Sequence, residues 1–334
     1  MEQKQLTVSV AAYNVAGTLR RCLDSLIGSD EMMTRLEVIV VNDGSTDETL
    51  TMAQTYAERY PQTFKVIDKV NGGYGSTINA SVACARGKYF KQLDGDDWYC
   101  TENLEAFLVF LETKDSDLVL SPFYEVHEDH SKAILQDHHP EVPAKDGPLK
   151  KMAMDQDILM HELAIRTELL QTHSVGVTEH CFYTDHEYTF QPLLFAKSIA
   201  RFPRPVYCYQ LGVEGQSVSL SGMRKHFKDP MRVAEKLMPL YEAQLPSIRE
   251  RGIETLMRKK ILSITELAYF CFLILEQPGA HKTTLKKLDQ HIRRQYPHIY
   301  RITMKSHTIA RLRRLHFVGY SLYAKHIARL VESR

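Results

Sequence analysis

The sequence predicts an α/β protein: an open, mostly parallel central sheet with helices on both faces, followed by a helical C-terminal region. Three observations carry this. Strand-like and helix-like patterns alternate through the first 120 residues. The strands are short apolar runs rich in β-branched residues, such as LEVIVV. After Ser221 only helical periodicity remains.

The elements follow in order. Leu6 to Ala12 (LTVSVAA) is the first strand, and Leu19, Cys22, Leu23, Leu26 and Ile27 then recur on one helix face. Leu36 to Val41 is a second strand, broken by Asn42-Asp43-Gly44-Ser45. A helix is expected from about Thr46, with Asp47 and Glu48 at its positive end. Phe64 to Ile67 is a third strand, Asn71 to Gly75 a loop, and a helix runs to about Arg86. Lys88 to Leu93 is a fourth strand and ends at Asp94. Ligands of such sheets lie beyond the carboxyl ends of the strands, so loops 13–17, 42–46, 71–76 and 94–98 are the places to search. Further on come a helix to Glu112, a strand from Leu118 to Phe123, and a polar stretch 124–150 that reads as a hairpin or a mobile loop. A helix at about 186–196 and strands at about 198–202 and 205–211 follow. The pattern change places a domain boundary near residue 220.

Composition excludes little. The 334 residues carry 42 Lys and Arg against 41 Asp and Glu, so net charge gives no reason to expect a nucleic-acid partner. The distribution is more informative. Residues 281–334 hold 13 Lys and Arg against Asp289 and Glu332 alone, leaving 29 basic and 39 acidic residues elsewhere. Such a tail suits an anionic surface, a dimer contact, or simply a solvated set of helices. No apolar run approaches the ~20 residues of a spanning helix, and no signal peptide is read at the N-terminus. Six scattered cysteines without Cys-x-x-Cys spacing read as reduced thiols. The expectation is a cytoplasmic protein, peripheral on the inner face of the plasma membrane if it meets one.

The strongest local signal is Asp94-Gly95-Asp96-Asp97-Trp98. Three carboxylates in four residues at the end of a buried strand repel one another, and a divalent cation removes that cost. Mg²⁺ and Mn²⁺ take such hard oxygens and complete their shell with phosphate oxygens and water. An acidic surface turn is the plainer reading. Asp43, before Gly44 and Ser45, suits a nucleoside or a helix cap, and Tyr13 suits a base or simple packing. His127, His130, His138 and His139 read as surface or acceptor-site residues, and Tyr269 to Phe272 as core or interface.

LTVSVAAYN, VIVVNDGSTDET, NGGYGSTIN, ARGKYFKQLDGDDW, and later YTDHEYTFQPLLFAKSIA with YQLGVEGQSVS, resemble the family 2 glycosyltransferases in order and spacing across residues 6–219. The resemblance implies a GT-A fold and an inverting transfer of a sugar, of hexosyl type, from a nucleotide diphosphate-sugar to an acceptor hydroxyl, with Mn²⁺ or Mg²⁺. It divides residues 1–220 into a nucleotide-binding half, 1–98, and an acceptor-binding half, 99–220, ahead of a basic helical region, 221–334. It implies that Tyr13, Asn14, Asp43, Asn71, Gly73 and Asn79 line the nucleotide site, and that Asp94 meets the ribose or donor sugar. Asp96 and Asp97 take the metal, Gln216 belongs to a closing loop over the diphosphate, and Asp185 occupies the place of the catalytic base, with Glu187 as fallback. UDP-sugars are the family's usual donors. Cell-surface polysaccharide assembly on a carbohydrate or lipid-linked acceptor is its commonest use. Departures fall at Ala12, Ala16, Thr77-Ile78-Asn79 and Thr184, where the family usually has Pro, Glu, Ala-Arg-Asn and Glu. A processive synthase would carry membrane spans and a Gln-x-x-Arg-Trp motif, and a nucleotidyltransferase a Gly-rich loop after its first strand. Neither is present. A catalytically silent binding or scaffold protein of the same fold remains as the alternative.

Overall fold

The structure is a computed structural model that describes residues 4–127, 132–154, 156–212, 219–250 and 253–332. They fall into two compact units. One holds the described residues up to His180 and those of 191–212, and the other holds Cys181–Phe190 and those from 219 onward.

The first unit begins with β1 (Leu6–Ala12), α1 (Ala16–Asp24), α2 (Asp30–Arg35), β2 (Leu36–Asp43), α3 (Thr49–Arg59), β3 (Phe64–Lys69), α4 (Tyr74–Cys84) and β4 (Tyr89–Asp94). It continues with β5 (Trp98–Tyr99), α5 (Thr101–Glu112), β6 (Leu118–Leu120), β7 (Phe123–His127), β8 (Ala133–Gln136), β9 (Gly147–Pro148), β10 (Leu163–Arg166), α6 (Thr167–Thr172), β11 (Ser198–Arg201) and β12 (Tyr207–Leu211). An eight-stranded sheet has the order β3-β2-β1-β4-β10-β6-β11-β9. The pairs β3/β2, β2/β1, β1/β4 and β6/β11 are parallel, and β10 and β9 run antiparallel to their neighbours. The chain steps outward from β1 to β3, then returns to place β4 on the other side of β1. That reversal opens a crevice at the carboxyl ends of β1 and β4, where Ala11 pairs with Asp94. A second, four-stranded sheet of order β5-β12-β7-β8 joins the segment after Asp94 to β12. The core lies under both sheets: Leu6, Val8, Val10, Leu36, Val38 and Val40 are fully buried with Leu19, Leu23 and Phe107.

Some boundaries moved for identifiable reasons. The helix expected from Thr46 starts at Thr49, because Asp47 is a cross-link: its carboxylate accepts from Thr49 N (3.0 Å) and Ala16 N (3.1 Å). The strand expected at 118–123 is two strands in different sheets, broken at Pro122, which has no N–H to give a ladder. The expected helix at 186–196 is α7 (Asp185–Phe190) followed by a 3₁₀ turn, Gln191–Leu194, again at a proline, Pro192. The polar stretch after 123 contains the antiparallel pair β7/β8.

The second unit holds α7, α8 (Leu220–Lys225), α9 (Asp229–Glu250), α10 (Glu254–Leu273), α11 (Pro278–Gln295), α12 (Pro297–Ile302), α13 (His307–Arg314) and α14 (Tyr320–Glu332). Its centre is α10, whose Tyr269, Cys271 and Phe272 are core, as the sequence suggested. Among the described residues no helix is long and apolar enough to cross a membrane. Beside α10 lies a buried polar knot. Arg313 Nε donates to Asp289 Oδ1 (2.6 Å), Tyr269 OH donates to the same oxygen (2.5 Å), and the guanidinium covers the Tyr300 ring at 3.7 Å. Removing one partner of such a pair strands the other charge in the interior. Asp289→Ala is expected to lower unfolding free energy by about 3–5 kcal/mol. Glu31→Ala, which breaks only an exposed pair with Arg35, should cost under about 1 kcal/mol. Urea denaturation of the two variants checks the contrast.

Candidate active site

Asn14 ties the loop after β1 to the loop after β2, beside the links made by Asp47 and Val15. Asn14 adopts φ 52°, a left-handed conformation that Asn tolerates better than most residues. Its Oδ1 accepts from Thr46 N (2.8 Å) and its N–H donates to Ser45 Oγ (3.0 Å). Val15 N donates to Thr49 Oγ1 at 2.9 Å. Tyr13 stands next to this strut with half its surface exposed.

Asp43, at the end of β2, is 2% exposed. Its Oδ1 accepts from Gly72 N (2.9 Å), Lys69 Nζ (2.7 Å) and Ser76 Oγ (3.2 Å), and its Oδ2 from Gly73 N (2.8 Å). Asn71 Nδ2 donates to the Asp43 carbonyl at 2.9 Å. The carboxylate therefore folds loop 71–73 onto the sheet edge. Gly44 (φ 73°) and Gly73 (φ 78°) occupy left-handed backbone there, and a Cβ on Gly44 would lie 2.8 Å from Asn71 N. Asn79 commits its amide elsewhere: Nδ2 donates to Val177 O and Oδ1 accepts from Val177 N, each at 2.9 Å.

The acid cluster gathers at the end of β4. One oxygen from each of Asp94, Asp96 and Asp97 can be chosen so that all lie within 4.8 Å of one another. Asp94 Oδ1 accepts from Tyr74 OH at 2.7 Å. Asp97 is 1% exposed, and both its oxygens face protein donors: Tyr207 OH (2.5 Å) and Gln210 N (2.7 Å). The same Tyr207 hydroxyl accepts from Asp94 N at 3.3 Å, so one side chain fixes two of the three acids. Burial, then the neighbouring Asp94 and Asp96, pushes the Asp97 carboxyl well above the usual carboxylate range. Arg21 Nη2 donates to the Asp96 carbonyl (2.9 Å) and to Gln210 Oε1, while its guanidinium lies 3.8 Å over Trp98. Gly95 must be glycine, since a Cβ would come 2.9 Å from Ala11 O.

These donors fit a hard divalent cation. The three oxygens lie within 4.8 Å of one another, and metal–oxygen bonds of about 2.0–2.1 Å would draw them closer, since even opposed ligands then lie only about 4.2 Å apart. Asp94 and Asp96 are half-buried, and Asp97 is buried behind them.

The sequence reading missed Tyr74, Tyr207, Gln210, Arg21 and His161. His161 packs against Tyr209 (4.3 Å), Tyr207 (4.8 Å) and Phe123 (5.0 Å), with its Nδ1 buried and without a partner among the described residues. The contacts of Tyr207 and Gln210 with Asp97 depend on β12 pairing with β5, a contact across more than 100 residues that no local pattern announces. His139, read as a surface or acceptor-site residue, is 1% exposed and sits 3.1 Å from Asp157 O, so it is not at the surface. His130 and Gln216 lie outside the described residues. In the second unit, Asp185 is the first residue of α7 and half-buried, whereas Glu187 is fully buried and ion-paired with Lys236 at 2.5 Å.

The sequence profile of glycosyl transferase family 2 matches residues 7–174. EpsH of Bacillus subtilis (strain 168), which carries a provisional glycosyltransferase assignment, is 27% identical over 275 residues, covering 78% of this chain and 74% of EpsH. Staphylococcus aureus TarS 1–349, solved with UDP-GlcNAc, superposes with a TM-score of 0.57 at 21% identity, covering 98% of this chain and 90% of TarS. The mannosyltransferase PcManGT of Pyrobaculum calidifontis, solved with GDP-Man and Mn²⁺, gives 0.51 at 13% identity, covering 98% and 88%. Identities this low establish a shared fold.

Beneath the site, Lys91 of β4 is fully buried and its Nζ donates to His161 O at 2.7 Å. Burial pulls its pKa from 10.5 down to about 7. The unfolded chain then binds more protons than the folded one between about pH 7 and pH 10, so stability rises with pH across that window. Relative to Lys91→Met, the natural chain should gain about 2 kcal/mol between about pH 7 and pH 9 in urea denaturation. A flat difference would show that the amine stays charged.

Proposed function

The chain belongs to glycosyl transferase family 2 and has the GT-A fold, and on that premise we propose that it moves a hexosyl group from a nucleotide diphosphate-sugar to an acceptor hydroxyl, inverting the anomeric carbon. The observation that carries the proposal is the trio of carboxylates at the reversal point of the sheet, fixed by Tyr74, Tyr207 and Gln210. The TarS complex makes UDP-sugars the first donors to test, and the PcManGT complex makes Mn²⁺ the first cation, with Mg²⁺ second. The acceptor class is a carbohydrate or lipid-linked saccharide of a cell-surface polysaccharide or glycoconjugate.

When bound, the cation would neutralise the charge that develops on the departing diphosphate. The chain's own residues do the rest. Asp96 holds the cation with Asp94, and Asp97 positions the turn from behind. Tyr74 orients Asp94 toward the donor. Tyr13 offers a face to the base, while Asn14, Asp43, Asn71, Gly73 and Asn79 set the shape of the nucleotide pocket through the loops they tie down. Asp185 takes the proton of the acceptor hydroxyl as that oxygen bonds to C1 and the C1–phosphate oxygen bond breaks, releasing the nucleotide diphosphate; this direct displacement turns an α-linked donor into a β-linked product.

Two substitutions separate these roles. Asp96→Ala should abolish the Mn²⁺-dependent thermal stabilisation by UDP, together with transfer. Asp185→Asn should keep that stabilisation yet lower kcat by about 10²–10⁴-fold. Transfer at the natural rate by the Asp185 variant would remove the base assignment. UDP stabilisation by the natural chain with no turnover across a panel of UDP-sugars would favour a silent binding protein.

A further inference from the structure

The end of the second unit carries an apolar surface that its own core does not use. Ten large apolar side chains are exposed among the described residues, and four of them fall in one stretch of sixteen: Leu315 (50%), Val318 (72%), Leu322 (77%) and Leu330 (50%). Single exposed leucines are ordinary, but a cluster is not. The segment has residues to spare for packing, since Phe317, Tyr320 and Ala324 are buried and Tyr320 OH donates to Phe272 O at 3.0 Å.

The turn between α13 and α14 enforces this division. His316 (φ 49°), Phe317 (φ 61°) and Gly319 (φ 70°) all lie in the left-handed region, two of them without glycine's freedom. This backbone turns Phe317 inward and leaves Leu315 and Val318 facing solvent. Along α14, Leu322, Lys325, His326 and Arg329 recur at helical spacing and are all exposed, so apolar and basic side chains share one face. Arg314 ends α13 beside them, and the Arg311 guanidinium reaches α14 at 4.7 Å over the Tyr323 ring.

We propose that this face docks in the plane of an anionic lipid surface, with Val318 and Leu322 entering the acyl boundary and Lys325, Arg329, Arg311 and Arg314 meeting the headgroups. The charge selects the occupant. The only acid in residues 305–332 is Glu332, already paired with Arg224 at 2.5 Å. A second copy of the chain would oppose basic face to basic face, whereas anionic headgroups complement it. Long basic side chains reach the headgroups while their stems lie along the apolar residues. No described helix can span a bilayer, so the contact is interfacial. The inference does not depend on the catalytic reading.

Vesicle flotation of the full chain tests it, with phosphatidylcholine vesicles alone or mixed with phosphatidylglycerol. The protein should float only with phosphatidylglycerol, and added salt should release it. Val318→Ser with Leu322→Ser, and separately Lys325→Gln with Arg329→Gln, should each weaken binding about tenfold without altering the thermal melt. Absence of flotation, flotation indifferent to phosphatidylglycerol, or double variants that float like the natural chain would overturn the proposal. So would a dimer seen by light scattering that the Val318 and Leu322 substitutions abolish, because it would assign the face to a second copy.

Discussion

Three carboxylates crowded at the end of one buried strand are the constraint on which the first unit depends. Left alone, Asp94, Asp96 and Asp97 would push the β4 turn apart. The fold answers from a remote strand. β12 pairs with β5 just past the acids and delivers Tyr207 and Gln210 to the oxygens of Asp97. Burial raises the Tyr207 phenol well above its usual range, so it stays a hydrogen-bond donor. Gly95 supplies the close backbone approach, and Arg21 ties the Asp96 carbonyl to Gln210. These contacts hold repulsion in place without neutralising it, leaving Asp94 and Asp96 able to take a cation.

The surrounding loops follow the same economy of position. Asn14 joins the first two loops, and Asp43 anchors the third by its carboxylate. Asn14 and Asp43 therefore act through the backbone they fix. The geometry of this region is thus kept in strand ends and short loops. The second unit uses its charges differently: one buried knot around Arg313 for cohesion, and an exposed basic edge for an external surface.

The sheet was legible because its strands are apolar runs and its helices keep one buried face, as Leu19, Cys22 and Leu23 do in α1. The acids were legible because charge at a strand end is costly enough to need a reason. What stayed hidden was long-range. Nothing local in YCYQLG says that Tyr207 meets Asp97, or that Glu187, the third residue of α7, pairs with Lys236. Prolines at 122 and 192 cut elements that periodicity alone would extend. His139 looked like a surface residue because its neighbours are polar, yet its ring is buried near Asp157 and Glu162.

Calorimetric titration of Mn²⁺ with and without saturating UDP tests the central claim most directly. If the acid cluster shares one cation with the diphosphate, each ligand must tighten the other by the same factor. The account predicts that UDP raises Mn²⁺ affinity at least about tenfold, a coupling of about 1.4 kcal/mol. Mn²⁺ affinity indifferent to UDP, with UDP binding equally well in chelator, would contradict it.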